Sequence, residues 1–310
     1  MTTPTTVRAP RAVGDDAVTG LAKALLPSAA KDLAETAIRQ VTRATAGMRL
    51  GPDLLVVGTK RGGTTFLWST LQGHPQVMAM VPRAKHLKSC HYFYRHFDRG
   101  LAWYLGHFPT RWARRRHAAR HGHALSLEAS PMYLFDPRVA DRVAAALPRV
   151  KVVILLRDPV ARAFSHYQER RKAGVETLSF PEALRFEDRR LAGEESRMTG
   201  DPHYYSRAWD WYSYRTRGEY AAQVQRWFDA LGRHRVLVVR SEDLYSDQPR
   251  TLELVQRFAG LTPVDLPGRK RNASSRAERI DPVSESVLRT HFAAHNRRLA
   301  ALLDDEVWWP

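Results

Sequence analysis

Cysteine is nearly absent from this chain. Cys90 is the only one, so no intramolecular disulfide can form and a reducing compartment is expected. Lysine is scarce as well: eight of the 49 basic residues are lysine and the rest are arginine. Acidic residues number only 32, which leaves a formal net charge of +17. No apolar run approaches the roughly 18 residues that a membrane span needs. The first residues lack a charged region followed by an apolar stretch, so no secretory leader is expected. These absences predict a cytoplasmic protein without a transmembrane segment. The basic excess favours anionic partners: phosphates, sulfates or nucleic acid. The arginine content reads either as codon bias or as a supply of guanidinium forks, which suit phosphate and sulfate.

A hydrophobic share of 44% in 310 residues supports a substantial core and excludes a disordered chain. Residues 1–50 read as an N-terminal extension. Its first 15 residues are Thr/Pro/Ala-rich, and over 16–48 Leu21, Leu25, Leu33, Ile38 and Val41 follow helical spacing, with a break near Pro27. Such an amphipathic helix either packs on the main body or makes a peripheral membrane or partner contact. Residues 51–310 read as one α/β domain. Apolar runs at 54–57, 152–156 and 236–239 predict buried strands, Leu125-Ser126-Leu127-Glu128 is a short further strand candidate, and helical patterns follow at 65–71, 138–147, 159 onward, 217–231, 249–259 and 284–303. Continuous apolar strands alternating with helices predict a mainly parallel central sheet covered on both faces.

Two segments carry chemistry. The first is Gly58-Thr59-Lys60-Arg61-Gly62-Gly63-Thr64-Thr65, between a strand and a helix. Backbone amides of such a loop, with the helix N-terminus, form an anion site. Gly58 and Gly63 have the spacing of a nucleotide-binding P-loop, but Thr64 stands where that motif requires lysine. A P-loop-like nucleotide kinase is therefore an alternative, not the main reading. The second is Arg157-Asp158-Pro159 with Ser165 farther on, at the end of the most apolar strand. A guanidinium at the strand end and a hydroxyl on the following helix can grip one phosphate.

In this order, the two segments resemble the 5′-phosphosulfate loop (Lys-x-Gly-Thr-Thr) and the 3′-phosphate motif of the sulfotransferases that use 3′-phosphoadenosine-5′-phosphosulfate (PAPS). Glu128-Ala129-Ser130-Pro131-Met132-Tyr133, Arg217-Gly218-Glu219-Tyr220 with Trp227, and the tail ending in Trp308-Trp309 are similar to the heparan-type and bacterial branches. The resemblance implies a P-loop-like sulfotransferase fold, PAPS as donor, its desulfated product PAP, and no metal. It implies that Lys60, Arg61, Gly62, Gly63, Thr64 and Thr65 meet the phosphosulfate, and that Arg157 and Ser165 meet the 3′-phosphate. Arg276 would contact phosphate from a loop at 268–280 that closes over the donor. Aligning Gly63-Thr64-Thr65 sets Arg61, with Lys60 beside it, in the register of the family's catalytic lysine. The acceptor implied is a hydroxyl or amine of a small molecule or glycan, with lipid or secondary metabolite equally open.

The general base is not obvious. Ser89 of Lys88-Ser89-Cys90-His91 stands in the register of the branch's glutamate, and serine is not a competent base. His86, His91 and Glu128 are the candidates; imidazole has a suitable unperturbed pKa. Other groups have two readings. The run Arg111, Arg114, Arg115, Arg116, Arg120 with His117, His121 and His123 is a solvated helix face or a surface for an acidic ligand. It lacks local carboxylates, which speaks against a metal there. Tyr204, Tyr205, Trp209, Trp211, Tyr212 and Tyr214 line an acceptor cleft or pack the core. Nucleic-acid binding, motivated by charge alone, is a disfavoured second alternative.

Overall fold

The five strands are β1 (Leu54–Val56), β2 (Val77–Met78), β3 (Leu125–Ala129), β4 (Lys151–Leu156) and β5 (Val236–Arg240). They lie in the order β2-β3-β1-β4-β5, and every neighbouring pair is parallel. The computed structural model describes residues 40–82, 85–267 and 279–309. The expected helix over 16–48 therefore lies mostly outside the described residues; its described part is α-helical over 40–44 and a 3₁₀ turn at Ala46–Met48. Arg276 also lies outside them.

The apolar runs form strands because both of their faces are covered. Leu55 and Val57 join Val152, Ile154 and Leu156 in one core cluster, whereas Leu54 and Val56 join Val153 and Leu155 in another. Alternation along a strand thus feeds two cores, one per face. Each fully buried aliphatic side chain contributes about 1.5–3 kcal/mol.

The longer helices are α1 (Thr64–Leu71), α2 (Arg111–His121), α3 (Val139–Ala146), α4 (Pro159–Lys172), α5 (Phe180–Leu191), α6 (Tyr220–Leu231), α7 (Gln248–Ala259) and α8 (Pro282–Leu303). Val143 of α3, Tyr220, Val224 and Trp227 of α6 and Leu299 of α8 fill one core. Leu67 and Leu71 of α1 with Leu252 and Val255 of α7 fill the other.

Strand β2 was not expected; two residues are too few for a periodic signal. Helix α6 starts at Tyr220, not 217, because a 3₁₀ turn, Thr216–Gly218, precedes it. The basic run on α2 divides. Arg115, Arg116 and Arg120 are exposed, but Arg114 is buried and donates to both oxygens of Asp53 at 2.6 and 2.5 Å. Asp53 also accepts from the Ser126 amide, so this pair ties α2 to the entry of β1 and β3. Of the aromatics, Trp209 and Tyr214 are core residues, with Trp209 stacked on Phe135.

Candidate active site

The loop after β1 is built by close packing. The backbone continues to pair with β4 past the strand end, with Val57 donating to Val153 and Thr59 to Leu155. At Gly58 a Cβ would stand 2.5 Å from the Leu155 amide nitrogen, so only glycine fits. Gly63, at φ 91°, is the N-cap of α1 and supplies no capping side chain. The first amides of α1 therefore keep their donors for an anion. Ser241 Oγ, on the residue just after β5, donates to the Gly62 carbonyl at 2.5 Å and anchors the loop there.

The second motif has a helix-capping half and a loop-facing half. Asp158 caps α4 by accepting from the Val160 amide, and Pro159 occupies the first turn. Arg157 is left to turn toward the loop, where Nη1 donates to the Arg61 carbonyl at 3.2 Å. Tyr220 of α6 fixes this corner by donating to the Arg157 carbonyl at 2.8 Å. Ser165, on α4, accepts from Arg61 Nε at 3.0 Å. Arg157 and Ser165 thus both contact Arg61, the first through its backbone carbonyl and the second through its guanidinium.

Four non-glycine residues among those described have positive φ; three of them are Arg61 (72°), His86 (45°) and His91 (57°). Such backbone costs about 1 kcal/mol or more per residue and gathers where function requires it.

The cations differ in surroundings. Arg61 is 45% exposed, with Nη1 3.6 Å from Glu169. Lys60 is turned inward, 3.8 Å from Glu169 and 3.7 Å from Asp210. Burial, and then the nearby Arg217, lower its ammonium to about 8 against the pull of those carboxylates. Lys88 donates to Thr64 Oγ1 at 3.0 Å and Thr65 Oγ1 at 2.8 Å, and burial lowers it to about 8 as well. Lys88 had no assigned role from the sequence. Its signal was its place at the head of the Lys88-Ser89-Cys90-His91 segment. Glu169 also had one, a single helical turn after Ser165. Asp210 had none.

Glu128 is fully buried on β3 and collects donors. Ser89 Oγ donates to Oε1 at 2.6 Å, Tyr133 to Oε1 at 2.9 Å, Tyr104 to Oε2 at 2.8 Å, and the Cys90 amide to Oε1 at 3.2 Å. Burial raises its carboxyl above the ordinary range, against those hydrogen bonds, which pull it down. His91 lies beside this group. Burial, then His96 and Arg95, lower its imidazole to about 4, so it is neutral at pH 7 and a weak base. His86 is exposed.

An anion loop at the carboxyl end of β1, faced by a cation at the end of the adjacent β4, defines an α/β protein of the P-loop-like kind. Within that class the chain belongs to the sulfotransferase domain family, whose sequence model matches residues 51–286. It is similar to the sulfotransferase from Alicyclobacillus acidocaldarius, at 31% identity and a TM-score of 0.57, over 83% of this chain and 97% of that one. Among curated proteins it is 30% identical over 213 residues to human bifunctional heparan sulfate N-deacetylase/N-sulfotransferase 1, and 27% identical over 213 residues to the mouse type 4 protein. Each alignment covers 68% of this chain and only 22% of the relative's length. The expected kinship with heparan-type sulfotransferases holds. No described helix is long and apolar enough to cross a membrane.

Proposed function

We propose that this protein transfers a sulfuryl group from PAPS to a hydroxyl or amine. The observation that carries this reading is the meeting of Arg157 and Ser165 on Arg61 beside an uncapped helix N-terminus. Such a donor set fits a ligand with two separate phosphate groups. Thr64, Thr65, the first amides of α1, Lys88 and Arg61 would hold the 5′-phosphosulfate. Arg157 and Ser165 would hold the 3′-phosphate, with Arg276 as a further contact. When bound, PAPS supplies an activated sulfuryl group whose leaving oxygen takes up negative charge. Arg61 stabilises that charge with hydrogen bonds and cannot give up a proton. Lys88 adds a second cation. Lys60, Glu169, Asp210 and Tyr205, whose hydroxyl donates to Asp210 at 2.7 Å, offer a polar wall for the acceptor.

The base role falls to Glu128 acting through Ser89. The acceptor's proton passes to Ser89 Oγ as the Ser89 proton passes to Glu128 Oε1, 2.6 Å away. This restores a carboxylate to a register where the chain has serine. Ser89→Ala and Glu128→Gln should each slow transfer about 100-fold. Glu128 must be ionised to accept, and its raised pKa moves the acid limb of the rate profile above the ordinary carboxylate range; in Glu128→Gln that limb should vanish. A full rate in Ser89→Ala would return the role to His91 or His86.

Ligand-dependent melting tests the donor assignment. Adenosine 3′,5′-bisphosphate should raise Tm, worth about 2.7 kcal/mol at a hundred times its Kd. ATP should do less, and duplex DNA nothing. Preference for ATP would support the kinase reading, and stabilisation by DNA alone a nucleic-acid binder.

A further inference from the structure

Glu219, His291 and His295 lie apart from the residues given roles above. Glu219 ends the turn before α6, and the two histidines are four residues apart on α8, on one helix face. Their ring centroids are 5.0 Å apart with planes 33° from parallel. His291 Nε2 lies 2.9 Å from Glu219 Oε1. One ligand atom from each of the three falls within 4.8 Å of the others, the one such trio among the described residues. Ligands of a tetrahedral zinc ion at 2.0–2.2 Å lie about 3.4 Å from one another, so small side-chain rotations close the gap. The backbone makes this reach possible. At Gly218 a Cβ would stand 2.7 Å from Phe292 Cζ, so the turn is pressed against α8 beside His291.

We propose that Glu219, His291 and His295 form a zinc site, with water at the fourth position. Two imidazoles and one carboxylate select a borderline ion such as Zn²⁺ over Mg²⁺ or Ca²⁺, which prefer all-oxygen sets. The other pair of histidines at helical spacing, His117 and His121, has rings 4.5 Å apart but makes no such trio, and His117 Nε2 is bonded to the Pro75 carbonyl. The bound ion would join α8 to the turn before α6. The corner at Arg157 and Asp158 is held from the same two places: by Tyr220, the α6 residue next to Glu219, through the Arg157 carbonyl, and by Arg289 of α8 through Asp158 at 3.2 Å. The site is thus a structural staple behind the strand end.

Metal-stripped, untagged full chain is titrated with Zn²⁺ by calorimetry and with Co²⁺ by visible absorption, near neutral pH. One equivalent should bind, with the absorption of four-coordinate Co²⁺. His291→Ala and His295→Ala should each weaken binding at least about tenfold, and Glu219→Gln should weaken it less. His117→Ala/His121→Ala should bind as the parent does. Zn²⁺ should raise Tm in the parent and not in His291→Ala/His295→Ala, whose fold without metal is checked by circular dichroism. Failure to saturate by about 0.1 mM Zn²⁺, or equal binding by His291→Ala/His295→Ala, overturns the site.

Discussion

Replacing Arg61 with alanine should lower sulfuryl transfer by about 1,000-fold or more while adenosine 3′,5′-bisphosphate still raises Tm. A cation placed on developing charge contributes about 10³–10⁵ in related phosphoryl transfers, and one lost hydrogen-bond donor to an oxyanion costs about 10²–10³. Arg61 suits that place. It sits in the anion loop, its guanidinium is 45% exposed, and Ser165 and Glu169 hold it in position. Lysine at 61 should recover part of the rate, since it restores a charge without the planar fork. Glycine separates chemistry from folding. Arg61 has φ 72°, so Arg61→Gly relieves a left-handed backbone that costs about 1–2 kcal/mol, and should be at least as stable as the parent yet as inactive as the alanine variant. A full rate in Arg61→Ala would move the leaving-group role to Lys88 or Lys60.

Arg157→Ala should act on recognition of the donor, not primarily on the chemical step. In the parent, adenosine 3′,5′-bisphosphate should bind far more tightly than 5′-AMP, because Arg157 and Ser165 meet the extra phosphate. A charge-assisted hydrogen bond is worth about 1.5–3 kcal/mol, or 10- to 150-fold in affinity. Arg157→Ala should remove most of that ratio, whereas Arg61→Ala should keep most of it. Calorimetry with the two nucleotides on the three proteins measures this directly. If Arg157→Ala leaves the ratio intact, Arg157 is a structural residue that only holds the Arg61 carbonyl.

Strands were legible where burial on both faces demanded continuous apolar residues, as at 54–57 and 152–156. Strand β2 was not, because its two residues are placed by their neighbour β3 and not by their own pattern. The loop at 58–65 and Arg157 with Ser165 were legible because glycine, hydroxyl and cation types are packed into short spans. Glu128 was already a candidate base, but its pairing with Ser89 was illegible for the opposite reason. Ser89 and Glu128 are 39 residues apart, and the tyrosines that complete the cluster are 104 and 133. No local pattern joins them.

The amino-acid sequence by itself determined the sheet class, the glycine-rich loop that follows β1 and the Arg157-Asp158-Pro159 corner that follows β4. These depend on periodicity and on residue types within a few positions, which short-range sterics and burial fix. Only the tertiary structure decided how the cations divide their work. Lys60 and Arg61 are neighbours in the chain, yet the left-handed backbone at 61 sends one inward to Glu169 and Asp210 and leaves the other exposed beside Ser165. Lys88 reaches Thr64 and Thr65 from another segment altogether. Burial then lowers Lys60 and Lys88 and raises Glu128, an effect of the surrounding dielectric that no stretch of sequence contains.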